Sequence, residues 1–460
     1  KFLQEAEQGN GFAMHDLGRM FADGLGRDAD VGLAQKWYEK AAHWFSQAAA
    51  MDHKYAQYSL AGLYRRGRGV EQNDIRAFSL YMSSAEQGNP YASLELAKMY
   101  RDGLGTEPDL QQAEWRFQNA YSGFVVLEEK SHDDKLQYRI GQMLHTGTGT
   151  SKDDEGAARY WEKSAKLGNI NAQYALGTLW LETGSGDSGQ AVEWLTKAAN
   201  AEHSAAQYVL GKLYQDGVYF NKDMDQAMKW FRSAAELGNE YAAYRMGCLL
   251  LLGEEIPKDV EAAVKWLSLS AEKGNPYAQY RLGMLYLKGE EYSPQVEVAM
   301  KWLQQAAEQK NEWAFYQLGK LYLSGEHVTK NVETAVHYLG LCAEKGNQYA
   351  QYVLGKLYLC GRDVSRDREK AVEYLTASAE QGNLYASFLL EHLDAYQDPS
   401  LFLAATRLLH HLEKLFCEEV QRPMEMKRYQ IDRKRRRKLS EKKQAQGHHR
   451  DDQEPAQGIY

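Results

Sequence analysis

"NPYAQYRLGMLYLKGEEY" (residues 275–292) returns as "NQYAQYVLGKLYLCGRDV" (residues 347–364), with Ala, Leu, Gly, Tyr and a closing Gly kept while the letters between them drift. Working outward, the phrase A-x-x-x-L-G-x-x-Y-x-x-G aligns on Ala13, Ala56, Ala92, Leu136, Ala172, Ala206, Ala242, Ala278, Ala314, Ala350 and a partial copy at Ala386. Most spacings are 36 residues and one is 34; two are 43 and 44, with additions near residues 43–54 and 121–134. Packing units are copied along a chain far more readily than catalytic sites. A period of this length with helical patterning predicts stacked helix pairs.

The turn of 100° per residue places Ala278, Leu282, Leu285 and Tyr286 on one side of a first helix. Gly283 has no Cβ and so admits a close neighbour, which offsets its cost of about 1 kcal/mol relative to Ala in a helix. Gly289 reads as the helix stop. A second helix reads A-V-K-W-L-x-x-S-A-E-K-G-N over residues 263–275, with variants starting at Ala227, Ala299, Ala335 and Ala371. There Trp266 is expected to fill the space between helices, Ser270 and Ala271 to allow a tight crossing, and Gly274-Asn275 to cap the C-terminus. One pair cannot bury its own apolar stripe; a stack can.

This pattern resembles the Sel-one-like repeat, a relative of the tetratricopeptide repeat, over ten full units from Ala13 to about Ala386. The resemblance implies an all-α, right-handed α-solenoid (superhelix) of helix-turn-helix repeats of about 36 residues. It further implies a concave face lined by first helices. Leu136 in place of the motif alanine, Lys310 in place of a capping Gly, and residues 200–203 without Gly-Asn are departures expected to loosen single joints. The cysteine-rich branch of the family is not matched. The expected domains are a repeat remnant (1–12), the solenoid (13–391), a C-terminal capping helix (392–420) and a basic, mostly disordered tail (421–460). "KFLQEAEQGN" at residues 1–10 matches the second half of a unit and reads as a start inside a longer chain.

Composition is that of a soluble protein, 44% apolar and 26% charged with eight prolines, and holds no apolar run of membrane-spanning length. Cys248, Cys342, Cys360 and Cys417 are scattered without C-x-x-C or His companions at metal spacing, which points to reduced thiols and a cytoplasmic setting rather than a disulfide framework or a metal site. Gly-rich loops at residues 23–30, 102–109 and 146–154 lack a Walker lysine–hydroxyl pair and EF-hand acidic spacing; they read as turns between helices. Thirteen histidines form no H-E-x-x-H, and the pairs at 410–411 and 448–449 lack ligand-spaced companions. No cofactor and no catalytic activity are expected. A hydrolase, as claimed for some family members, is the enzyme-class alternative.

Two positions after the motif alanine, opposite the buried stripe, recur Tyr58, Tyr138, Tyr174, Tyr208, Tyr244, Tyr280, Tyr316 and Tyr352. Six after it come Lys212, Lys320 and Lys356. This ladder is expected to bind a partner protein segment in the concave groove, or else to seal one repeat against the next. The last forty residues hold twelve Lys/Arg against six Asp/Glu, a net of +6, which leaves −14 on the preceding 420. Arg433, Lys434, Arg435, Arg436, Arg437 and Lys438 are expected to bind nucleic acid non-specifically, with a solvated helix or a self-contact as alternatives. The run at 431–454, with the array before it, resembles the C-terminal part of mobilisation relaxases of Firmicutes conjugative elements. That resemblance implies a non-catalytic interaction scaffold in conjugative transfer. A stand-alone bacterial adaptor in signalling or envelope assembly is the alternative.

Overall fold

In the computed structural model, residues 2–23, 30–184, 188–219, 221–289 and 294–393 are described, and every regular element among them is an α-helix. The chain divides into two compact units, Lys1–Asn275 and Pro276–Tyr460. The first opens with α1 (Phe2–Glu7), α2 (Gly11–Asp23), α3 (Val31–Ala50), α4 (Lys54–Arg66), α5 (Asp74–Glu86), α6 (Pro90–Asp102) and α7 (Leu110–Ser131). It continues with α8 (Asp134–Thr146), α9 (Asp154–Lys166), α10 (Ile170–Thr183), α11 (Ser188–Asn200), α12 (Ser204–Asp216), α13 (Met224–Glu236), α14 (Glu240–Leu252) and α15 (Val260–Glu272). The second unit holds α16 (Pro276–Lys288), α17 (Val296–Glu308), α18 (Glu312–Ser324), α19 (Val332–Glu344), α20 (Gln348–Cys360), α21 (Arg368–Glu380) and α22 (Leu384–Glu391). From α2 to α20 each even-numbered helix carries the motif and pairs with the odd-numbered one after it, giving an α-solenoid of helical hairpins, with α22 a partial copy at the end of the described residues. No described helix is long and apolar enough to cross a membrane.

Pairing within a hairpin depends on the helical glycine. A Cβ on Gly283 would lie 2.7 Å from Leu303 Cγ, and one on Gly247 2.6 Å from Leu267 Cγ. Leu267 and Leu303 are fully buried. Trp266 takes a shallower place than its spacing suggests: it is half-buried at the rim, while its neighbour Leu267 fills the space opposite the glycine. Leu285 is likewise half-buried, and Leu287 takes the buried position. Apolar clusters run from pair to pair; one extends from Leu94 on α6 to Leu179 on α10.

Polar joints repeat with the same period. Ser84, Ser164, Ser270 and Ser378 each donate to the carbonyl thirty residues back, on Lys54, Asp134, Glu240 and Gln348, at 2.6–2.7 Å. Cys342 makes the same bond to Glu312 with a thiol, at 3.3 Å. The small residue of the crossing is thus also a donor. The glutamine after the motif alanine is buried at Gln57, Gln137, Gln173, Gln207, Gln279 and Gln351. Gln87, Gln309 and Gln381 of the following second helices donate to Gln57, Gln279 and Gln351 at 2.8–2.9 Å.

The Gly-Asn pair divides its labour. Glycine takes the left-handed turn (Gly238, φ +93), whereas asparagine opens the next helix: Asn239 Oδ1 accepts from the Ala242 N–H at 2.9 Å. Asparagine thus serves both helices: its N–H, 2.9 Å from the Ala234 carbonyl at Asn239, completes the C-terminal cap that the sequence suggests, and its side chain is the N-cap of the next helix. Joints lacking the pair keep its shape. Asp52, His132, Glu202 and Lys310 hold φ of +48 to +61, and His53 and His203 accept the capping N–H through Nδ1.

The Gly-rich loops at residues 102–109 and 146–154 are turns between the helices of a pair, as their position in the repeat indicates, whereas residues 24–29 of the third lie outside the described residues. Gly103 closes α6 with φ +67, and a Cβ on Gly105 would collide with the Asp74 carbonyl of the preceding unit. The two lengthened spacings extend helices rather than loops: α3 has 20 residues and α7 has 22, against 13 in most others. The capping helix expected over 392–420 and the tail over 421–460 fall, from residue 394 on, outside the described residues.

Candidate protein-binding face

The first helices present a repeated aromatic–cationic motif. Tyr58, Tyr138, Tyr174, Tyr208 and Tyr244 in the first unit, and Tyr280, Tyr316 and Tyr352 in the second, are all half-buried. Four of these rings lean on the next hairpin in chain order. Tyr58 lies 6.1 Å from Tyr91, Tyr208 6.4 Å from Tyr241, Tyr316 6.4 Å from Tyr349 and Tyr352 6.0 Å from Tyr385, in each case thirty-three residues on. Tyr174 stacks on the capping His203 at 4.6 Å. Tyr138 accepts a hydrogen bond from Gln142 at 2.9 Å and lies 6.5 Å from Trp161.

The rings of Tyr58, Tyr174, Tyr208, Tyr316 and Tyr352 each touch the next repeat and keep part of their surface accessible. Burial raises the pKa of Tyr58, Tyr138, Tyr174, Tyr208 and Tyr280, so these phenols remain neutral donors. One turn on, Lys212, Lys320 and Lys356 hold their ammonium groups 5.7–5.9 Å from the ring centroids of Tyr208, Tyr316 and Tyr352. Lys212 is exposed, and Lys320 and Lys356 are half-exposed.

Two further contributors escape a reading based on the position two after the alanine. An outer aromatic precedes the alanine at Tyr55, Tyr91, Tyr241, Tyr277, Tyr349 and Tyr385; Tyr55, Tyr241 and Tyr277 are 45%, 53% and 47% exposed. The signal was the repeated Y-A-x-Y, since residues three apart share a helix face. Arg139, Arg245 and Arg281 stand three after the motif position. The Arg139 guanidinium lies 5.5 Å from the Tyr91 ring, and Arg245 donates to Gln215 at 3.2 Å.

Two acidic residues elsewhere on the described chain serve joints. Asp154 is held 2.7 Å from His145, and Asp74 sits 3.3 Å from Arg65 at the same place two units earlier; both tie a first helix to the start of the second. Among the described residues no group of His, Cys, Asp or Glu is placed to hold a metal. Burial pushes the Cys342 thiol up to about 12. Cys417 and the basic run Arg433–Lys438 lie outside the described residues.

Comparison with known proteins places this geometry. The Sel1 repeat model matches residues 11–43, 39–53, 54–89, 90–115, 135–169, 170–203, 204–239, 240–275, 276–311, 314–347 and 348–383. An exopolysaccharide production negative regulator of Rhizobium meliloti (strain 1021) is 29% identical over 159 residues, 32% of this chain and 57% of that protein. Its namesake in Rhizobium leguminosarum bv. viciae is 28% identical over 181 residues, 39% and 56% of the two chains. The chain thus spans little more than half the length of either regulator. The crystal structure of c5321, a protective antigen of uropathogenic Escherichia coli strains with an SLR fold, is similar over 88% of this chain and 92% of that one, at 26% identity and TM-score 0.52.

Proposed function

Because the chain belongs to the Sel1 repeat family, we propose that it is a non-catalytic scaffold that holds a partner protein segment along the face of its first helices. The observation that carries this reading is the matched trio of half-buried tyrosine, outer tyrosine and lysine, repeated at Tyr208–Tyr241–Lys212, Tyr316–Tyr349–Lys320 and Tyr352–Tyr385–Lys356. Rings already anchored on one side lose little freedom on binding, and the lysines fix register by charge. A partner segment with acidic or carbonyl-rich stretches suits such a face.

Of the contexts open to such a scaffold, a regulatory adaptor draws support from the similar exopolysaccharide regulators. The relaxase context draws on the tail at 431–454 alone, and the cytoplasmic setting on the scattered cysteines. Peptides selected from a displayed library against the full chain test the reading. Tyr280→Ala, Tyr316→Ala and Tyr352→Ala combined should weaken the selected peptide about tenfold or more with helicity retained; unchanged affinity removes the groove. A photo-crosslinker at position 356 should capture that peptide and one at exposed Glu333 should not. Removing residues 432–460 should abolish salt-sensitive DNA retention if the basic run contacts nucleic acid.

A further inference from the structure

One second helix breaks the pattern of the others. The position three after its leading alanine is aromatic at Trp37, Tyr160, Trp194, Trp230, Trp266, Trp302, Tyr338 and Tyr374, and Leu at Leu80; on α7 it is Arg116. Arg116 is only 7% exposed, and its Nε has no hydrogen-bond partner among the described residues. Its recorded contacts are Met82 Sδ, 2.9 Å from Nη2, and the Trp115 ring, 4.4 Å away. No carboxylate pairs with it among the described residues. A buried cation left this way is costly unless a counter-charge reaches it.

The guanidinium lines a cleft of about 480 Å³ with Glu86, Pro90, Ser93, Trp115 and Asn119. Gly123, at the far wall, is the first residue beyond the point where a helix of the usual thirteen residues would have ended. The extension of α7 therefore helps to build the cleft. We infer that this cleft, between α5, α6 and α7, binds a carboxylate of a peptide, either a free C-terminus or an acidic side chain. A planar guanidinium presents a fork matched to a carboxylate, the half-exposed Trp115 face covers the adjoining chain, and the Asn119 amide supplies a second donor. A single cation beside the rim carboxylate of Glu86 suits one negative charge rather than the near-two of a phosphate.

The test uses the full chain with ¹⁵N-labelled arginine, titrated with N-acetylglycine, N-acetylglycinamide and inorganic phosphate. The Arg116 Nε–H resonance is identified by its loss in Arg116→Trp, which restores the residue type of the other units and should melt no lower than wild type. N-acetylglycine should shift the resonance saturably and raise the melting temperature, the amide should do neither, and Arg116→Trp should lose the thermal response. Glu86→Gln should tighten N-acetylglycine binding about threefold by removing a like charge. A thermal response kept in Arg116→Trp, or an equal response to the amide, overturns the site. Stronger binding of phosphate overturns the carboxylate assignment. A shift of the resonance by Glu86→Gln alone overturns it too, since Glu86 would then be the internal partner.

Discussion

Lys310, Glu202 and Asp52 sit where other units carry glycine, and all three hold left-handed backbone. Lys310→Gly should raise stability by about 1 kcal/mol, the relief of Cβ strain less the added freedom of the unfolded chain, read as a higher urea midpoint. Two helical glycines make a sharper pair. A Cβ on Gly319 would meet Leu339 Cγ at 2.6 Å, whereas one on Gly340 meets nothing within 4 Å. Gly319→Ala should destabilise by about 1–3 kcal/mol through overpacking. Gly340→Ala should stabilise by about 1 kcal/mol through helix propensity alone; equal effects in denaturant melts would dismiss the close-approach account. Cys342→Ser should hold or raise stability by about 0.5–1 kcal/mol, because a hydroxyl makes the bond to Glu312 that serine makes in four other units. At this scale the sequence was a partial guide. The need for a small residue at 270 was legible; the donor role of Ser270 was not, because its acceptor lies thirty residues away on another helix.

Between helices, the capping residue couples one joint to pH. His203 opens α12 by accepting the Ala206 N–H through Nδ1, and burial holds its pKa below the ordinary 6.5. A lowered folded pKa means that the stabilising difference is complete above 6.5 and is lost as pH falls toward the folded value, where the unfolded chain already binds a proton. Melting temperature should therefore drop between pH 7 and 5, and His203→Asn should make that drop smaller; an identical drop in the variant assigns the titration elsewhere. Helix periods were plain in the sequence because the buried stripe is read off one strand of letters. Helix ends were less so. Asn239 closes one helix with its N–H, as the sequence suggests, and also opens the next with its side chain, and the additions near 43–54 and 121–134 could not be told from loops until α3 and α7 proved continuous.

As a whole the molecule is held by contacts that reach one hairpin forward or back within each unit. Residues 1–275 expressed alone should remain helical and unfold cooperatively, since their buried clusters close within that span; loss of helical signal would show that this unit needs the rest of the chain. The repeat count and the all-α fold were legible from period alone. The inner tyrosine row was legible as a recurrence, but the outer tyrosines and the depth of each ring were not. How far a ring such as Tyr208 sinks is set by the distance to Tyr241 on a different hairpin, and that distance follows from the small residues packed beneath.

The thirty-residue bonds of Ser164, Ser270, Ser378 and their like have a consequence for descent. Each ties the two helices of one hairpin together through a main-chain carbonyl, an acceptor that every amino acid supplies. A recombination event that inserts or excises one whole hairpin therefore carries donor and acceptor together. Whole hairpins can then be gained or lost while the fold survives, and the row of tyrosines lengthens or shortens by one rung at a time.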